Sequence, residues 1–335
     1  MDYAILGSTN ITVNKNGFGA LPIQRISAED AGYLLKKAYQ HGITFFDTAR
    51  SYTDSEEKMG LALSGVREHI VIATKSAALK ADEFLAELET SLQMLKTGYV
   101  DILQFHNPPF CPKPGDDSGL YDAILEAKAQ GKVKHIGITN HRLHVAIEAA
   151  ESGLYEIIQY PTSYLVSQEE LELIELCRRK NIGVLAMKSL SGGLITDSAA
   201  AYAFLAQFGN VLPIWGIQRE HELDEFISYQ NNPPALDERV MKVIEKDRAE
   251  LQGDFCRACG YCMPCPQGII IPTAARMTLL MGRAPKAVYL GEIGVEGMAH
   301  AKDCTNCGHC IALCPYGIDV PKLIAEGWEK WRQLV

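Results

Sequence analysis

ITFFDTARSY, residues 43–52, decides how the chain is read. The apolar run at its start has the character of a buried strand, and it ends in Asp47. Tyr52 follows in a polar turn, just before the helical pattern SEEKMGLALS. An acid at a strand's carboxyl end with a tyrosine in the next loop is the layout of a barrel active site. The plain alternative is a strand terminus followed by a turn tyrosine. Two later residues favour the first. Lys75 ends the apolar run 70–74 and His106 follows the run 100–105, at spacings of 28 and 31 residues. Each spacing is about one strand-plus-helix unit of roughly 30 residues. Asp47, Lys75 and His106 are therefore expected at equivalent places on three successive parallel strands, where a closed barrel lets side chains converge.

The four residue types make chemical sense together. A tyrosine hydroxyl, with a reference pKa of about 10, is a poor proton donor near neutrality. A nearby ammonium favours the phenolate, so Lys75 is expected to lower the pKa of Tyr52. A buried lysine needs a counter-ion, which Asp47 supplies. His106 can donate a hydrogen bond to a carbonyl oxygen and orient it beside Tyr52. The set suits protonation of an oxygen while hydride arrives at carbon.

At this point the sequence resembles the aldo-keto reductases. The matching stretches are LGSTNITVNKNGFGALP, FFDTARSY, SEEKMGLAL, ATK, VDILQFHNP, GKVKHIGITN and IIQYPTSYL. They cover roughly residues 1–230 in the family's order and spacing. The resemblance implies Tyr52 as the acid/base, Lys75 and Asp47 as the residues that tune it, and His106 as the substrate-orienting group. It also implies a nicotinamide coenzyme, NADP(H) with NAD(H) as the alternative. For that coenzyme it points to Thr139, Asn140 and Gln159, with Gly19 and Ala20 at the end of the first barrel strand. After the seventh strand, MKSLSGGLI offers Gly192 and Gly193 for close backbone approach to a phosphate, and Lys188 for charge. The family's Ser-Pro-Leu motif is missing there. After the eighth strand, WGIQREHELDEF offers Gln218 and Arg219 near the adenosine 2′-phosphate, while Glu222 and Glu225 favour hydroxyls over phosphate. Loops at 107–119 and the residues near Trp215 are expected to line the substrate pocket.

The rest of the chain fits a barrel. Residues 3–13 read as a hairpin that plugs its bottom, and the first barrel strand as 16–20. Further strands are expected near 43–47, 70–75, 100–105, 133–138, 156–160, 182–187 and 211–215. Helical patterns lie between them, and the last lies near 220–229. This gives a (β/α)8 TIM barrel. A doubly wound sheet is the runner-up, but no G-x-G-x-x-G fingerprint follows the first strand. The expected domains are a barrel at 1–230, a linker and bridging helix at 231–253, and a small α-helical ferredoxin-like iron–sulfur domain at 254–335.

The composition is that of a globular protein, 47% hydrophobic and 22% charged. No apolar run reaches the roughly 18 residues of a membrane span, and no signal peptide is read, so a cytoplasmic location is expected. A net charge of −9 argues against nucleic-acid binding. Residues 254–335 carry 8 Lys+Arg and 7 Asp+Glu, so the negative charge belongs to the barrel and a boundary falls near Gly253.

Eight of the ten cysteines lie in that tail. Cys256, Cys259, Cys262 and Cys265 form one run. Cys304, Cys307, Cys310 and Cys314 form another, and proline follows the last cysteine of each. The second matches the bacterial ferredoxin spacing, in which the fourth cysteine serves the other cluster. The first is one residue shorter. Structural zinc also uses C-x2-C pairs, but two four-cysteine runs each closed by Cys-Pro favour two [4Fe–4S] clusters. The continuations CPQGIIIP and CPYGIDVP resemble α-helical ferredoxin modules. That resemblance implies crossed ligation: Cys256, Cys259, Cys262 and Cys314 for one cluster, and Cys304, Cys307, Cys310 and Cys265 for the other. Cys177 reads as a buried small hydrophobe, and Cys111 receives no role.

Three functions are weighed. The first is a carbonyl reductase or alcohol dehydrogenase acting on a small carbonyl or alcohol, with iron–sulfur clusters for electron transfer to a redox partner protein. The second is an electron-transfer protein. It meets the difficulty that hydride moves two electrons and a cluster one, with no recognisable flavin site to bridge them. The third, a barrel reduced to binding, is disfavoured by the intact tetrad.

Overall fold

The computed structural model describes residues 3–251 and 255–335. The boundary expected near Gly253 lies outside the described residues. Two short strands, β1 (Tyr3–Ile5) and β2 (Thr12–Asn14), pair antiparallel as a hairpin. Eight strand–helix units follow. They are β3 (Gly17–Gly19) and α1 (Ala28–Gln40); β4 (Phe45–Asp47) and α2 (Ser55–Leu63); β5 (Val71–Ser76) and α3 (Ala81–Met94); β6 (Val100–His106) and α4 (Leu120–Ala129). Then come β7 (Val133–Thr139) and α5 (Leu143–Ser152); β8 (Ile157–Pro161) and α6 (Gln168–Arg179); β9 (Gly183–Met187) and α7 (Ser198–Ala206); β10 (Val211–Gly216) and α8 (Glu220–Asn231). Strands β3 to β10 pair in parallel and close into one barrel, β10 returning to β3.

Local chemistry explains the rhythm. The strands are buried almost throughout, because a parallel sheet is covered on both faces. Helices start where side chains can accept orphan backbone N–H groups. Ser27 accepts from Asp30 at α1, and Ser167 with Glu170 forms a capping box at α6. The hairpin does close the barrel's bottom. Ala4, Leu6 and Val13 join Phe45, Ala73, Ile102, Ile157, Leu185 and Leu212 in one buried cluster at the strands' lower ends.

By contacts the chain divides into two compact units. The first holds the barrel strands and helices. The second comprises Leu190–Ser198 together with Lys242–Val335. A helix, α9 (Glu238–Glu250), leads towards the cysteine-rich stretch. Beyond it lie α10 (Ile271–Ala274), α11 (Met277–Arg283), α12 (Lys286–Tyr289), α13 (Glu292–Met298), α14 (His309–Leu313) and α15 (Val320–Trp331). Their shared core includes Ala274, Met277, Met298, Ile324 and Trp331. Among the described residues no helix is long and apolar enough to cross a membrane.

Candidate active site and iron–sulfur centre

The barrel register gathers the expected residues at the strands' carboxyl ends. Asp47 ends β4 beside Gly19 of β3, and the Ala20 N–H donates to the Asp47 carbonyl at 2.8 Å. Lys75 lies near the end of β5 opposite Gln104 of β6. His106 ends β6 opposite Thr139, which in turn faces Gln159 of β8. Tyr52 stands in the loop between β4 and α2. Its ring lies edge-on to His106 with centroids 5.9 Å apart.

Lys75 is 1% exposed. Its Nζ donates to Asp47 Oδ1 and Oδ2, each at 2.8 Å, and to the Thr48 carbonyl at 2.6 Å. An ammonium has three N–H donors, so all are engaged. The charge therefore reaches Tyr52 through space, with Nζ 5.2 Å from the ring centroid. This changes the expected tuning. Burial first, and then Asp47, hold the Tyr52 phenol well above its ordinary value. Burial outweighs the pull of the ammonium, because Asp47 offsets much of that charge at close range. Burial also raises Asp47 and lowers Lys75, and their mutual contact opposes both shifts. Tyr52 stays a neutral O–H, the form that donates a proton.

His106 is pushed down to about 3, by burial first and by Lys75 second. Solvent touches part of both rings, but protein surrounds them on most sides, and that mass desolvates the charged forms. His106 is accordingly a neutral imidazole across the working pH range, with Ser51 Oγ 3.4 Å from Nδ1. A pH titration followed by NMR should place the His106 midpoint near 3 and show no inflection near its ordinary value of 6.5. The unfolded chain binds this proton more readily. The residue's stability contribution is therefore complete above about 6.5 and is lost as pH falls towards about 3. A midpoint between about 6 and 7 would refute the assignment.

The expected coenzyme residues fall into three groups. Thr139, Asn140 and Gln159 sit beside His106 at the ends of β7 and β8. Gln159 accepts from Gln104 Nε2 at 2.8 Å and donates to Asp47 at 3.4 Å. Asn140 donates to the Pro108 carbonyl at 2.8 Å and accepts from the Arg142 N–H. Lys188, Gly192 and Gly193 all have positive φ. A side chain at Gly193 would meet no atom within 4 Å, so the space beside its backbone is open. Arg219 opens α8, and Glu222 accepts from the N–H groups of both Gln218 and Arg219. Trp215 itself, near which pocket-lining residues are expected, is a core residue. It is 1% exposed, stacks on Phe226 at 4.2 Å and donates to Asn16, so it belongs to the core and not to a pocket.

Sequence reasoning missed a polar set behind the tetrad. Buried Glu56 accepts from Thr74 Oγ1 at 2.6 Å and pairs with Arg50. Gln104 was signalled by period two, since it precedes His106 by two residues on the same face of β6.

In the second unit the two cysteine runs share one backbone path. Ala258 and Gly260 have positive φ, as do Asn306 and Gly308, and so do Gly268 and Gly317 after the two Cys-Pro pairs. Cys265, Cys304, Cys307 and Cys310 line one small cavity with Ile269, Ile271 and Ile324. Cys256 lies within electrostatic reach of Cys259 and Cys314, and Cys262 of Cys256, Cys259 and Cys310. Burial pushes the Cys262 thiol up to about 12 and raises Cys256 and Cys310. Among the described residues no three acidic, histidine or cysteine side chains close on the position of a single ion.

Comparison with known proteins agrees with the fold. The Aldo/keto reductase family matches residues 15–201, and a 4Fe-4S dicluster domain matches residues 255–325. The chain belongs to the aldo/keto reductase family of oxidoreductases and carries a 4Fe-4S dicluster domain later in the sequence. It is 31% identical over 211 residues to L-galactose dehydrogenase of Arabidopsis thaliana, covering 57% of this chain and 66% of that protein, just under two thirds. It is 29% identical over 226 residues to the NADH-specific methylglyoxal reductase of Escherichia coli, covering 58% of this chain and 68% of that protein. Its fold matches an aldo/keto reductase from Klebsiella pneumoniae in complex with NADP and acetate. There the TM-score is 0.62 at 19% identity, over 76% of this chain and 97% of the other.

Proposed function

We propose that the barrel interconverts a small carbonyl compound and its alcohol, with the nicotinamide coenzyme as hydride carrier. The observation that carries this reading is the meeting of Tyr52, Lys75, Asp47 and His106 at the ends of adjacent parallel strands. The coenzyme, when bound, supplies or accepts the hydride at the carbonyl carbon. Neutral His106 donates a hydrogen bond to the substrate oxygen and turns it towards Tyr52. As negative charge grows on that oxygen, the Tyr52 O–H gives up its proton, and solvent restores it afterwards. Lys75, fixed by Asp47, stabilises the transient phenolate across the ring. Thr139, Asn140 and Gln159 would hold the nicotinamide amide, with Gly19 and Ala20 lining its approach. Lys188, Gly192 and Gly193 would hold phosphates. NADP(H) is the proposed coenzyme, through Gln218 and Arg219. Glu222 on their backbone N–H groups supports NAD(H) as the alternative. The deciding experiment screens small aldehydes and ketones for oxidation of NADPH and of NADH. No turnover with either coenzyme would defeat the reading.

The eight tail cysteines are proposed to hold two [4Fe–4S] clusters in crossed sets, as the cavity shared by Cys265 with Cys304, Cys307 and Cys310 supports. These clusters would exchange electrons with a separate redox protein in the cytoplasm. Anaerobically prepared protein should contain about eight irons and eight sulfides per chain. Zinc in place of iron would overturn this, and about four irons would reduce it to one cluster.

A further inference from the structure

Gln104 of β6 is fully buried, in register between Lys75 of β5 and Gly137 of β7. It shares one face of its strand with His106, two residues on. Its Nε2 donates at 2.8 Å to Oε1 of Gln159, which belongs to β8, two strands away. The reach over β7 is open because a glycine stands in between. A Cβ on Gly137 would lie 2.9 Å from Gln104 Cγ, closer than such atoms come. Gly137 is not among the residues with positive φ, so what it supplies is space and not a turn.

The direction of both amides is set from Asp47. Its two carboxylate oxygens accept from Lys75, so it takes hydrogen bonds and gives none. Gln159 therefore turns Nε2 towards Asp47 Oδ2, a long contact of 3.4 Å, and Oε1 towards Gln104. Gln104 must then present its N–H. Its own Oε1 is left buried, with no donor among the described residues. An unpaired buried acceptor is costly, and an apolar side chain of the same length would fill the place without one. Packing alone does not account for an amide at this position, whereas the bond to Gln159 does.

We propose that Gln104 is a positioning residue for the coenzyme. Reaching over Gly137, it locks the Gln159 amide in one direction. Each amide atom of Gln159 has then used one of its two hydrogen-bonding places. One N–H and one oxygen lone pair remain, at fixed positions, for the amide of the nicotinamide. A Gln159 free to turn would present that pair less of the time. This deepens the reading above, in which Gln159 holds the nicotinamide amide, and rests on it.

The test sets NADPH and NADH against ADP-ribose and its 2′-phosphate, which lack the nicotinamide. Calorimetry is run on wild type and on Gln104→Met, which keeps the unbranched stem and removes the N–H. Gln104→Met should bind the coenzymes about tenfold more weakly, the worth of one positioned hydrogen bond. It should bind the nicotinamide-free probes as wild type does. Gly137→Ala, whose methyl displaces the Gln104 stem, should show the same selective loss. In a Gln159→Met background, Gln104→Met should cost no further coenzyme affinity. Coenzyme affinity in Gln104→Met within about twofold of wild type overturns the proposal. So does an equal loss of the nicotinamide-free probes, which would mark a distorted barrel mouth, and so do losses that add in the double variant. If Gln104→Met does not fold, Gly137→Ala decides. If wild type binds neither coenzyme, the coenzyme reading falls and the positioning role falls with it. Urea unfolding of the two single variants and the double variant then decides whether Gln104 and Gln159 are bridged, since additive losses would refute the bridge.

Discussion

Replacing Tyr52 by Phe should lower carbonyl reduction by about 10²–10⁴-fold, the usual contribution of a positioned general acid. Coenzyme affinity should stay near wild type. The phenyl ring fills the same space and keeps its edge-on contact with His106, so the change removes one O–H and little else. His106 cannot replace it. Its conjugate acid is scarce at any pH well above about 3, so it can offer a hydrogen bond but not a proton. Steady-state reduction of the best carbonyl substrate, beside a fluorescence titration of the coenzyme, separates chemistry from binding. Activity within about tenfold of wild type would remove Tyr52 from the acid/base role.

Lys75→Met should have the largest effect on folding. The substitution leaves Asp47, 4% exposed, without its partner and the Thr48 carbonyl without its donor. Breaking a buried pair from one side destabilises by about 3–5 kcal/mol. Asp47 is expected to take up a proton in response, because burial already raises it. The double variant Asp47→Asn, Lys75→Met should recover part of the loss, since no unpaired charge is left. Urea unfolding of wild type, both single variants and the double variant measures this. A loss below about 1 kcal/mol in Lys75→Met would mean that water from the barrel mouth solvates Asp47.

The barrel was legible because its strands announce themselves. Runs such as VDILQFH are apolar enough to be buried on both faces, and each ends where a polar site residue begins. Strand boundaries fall within about two residues of expectation for that reason. The tetrad was legible for the same reason, since one residue per strand end is a linear signal. The ionisation of Tyr52 was not, because it depends on where the three donors of Lys75 point and on how much protein surrounds the phenol. The direction of Trp215 was not legible from its position. A strand-end residue can face the helices as readily as the mouth, and only the stack on Phe226 reveals which. Gln104 and Gln159 are far apart in sequence, and nothing local marks one amide as the holder of another. The cysteine runs gave their pairing through resemblance to ferredoxin modules, and the cavity then brought Cys265 to the later run.

That cavity has a mechanical consequence. Cys265 precedes helices α10 to α13, and its three cavity partners follow them. A ribosome that has released the chain as far as α13 has delivered Cys265 and none of those partners, so a cube held in the proposed crossed set would have to wait for the later run. Once built, such a cube would work as a rivet. A protease nick between α10 and α13 would cut the peptide and leave two fragments clasped by iron. Gel filtration would show one particle, denaturing electrophoresis two, and a chelator would be needed to part them.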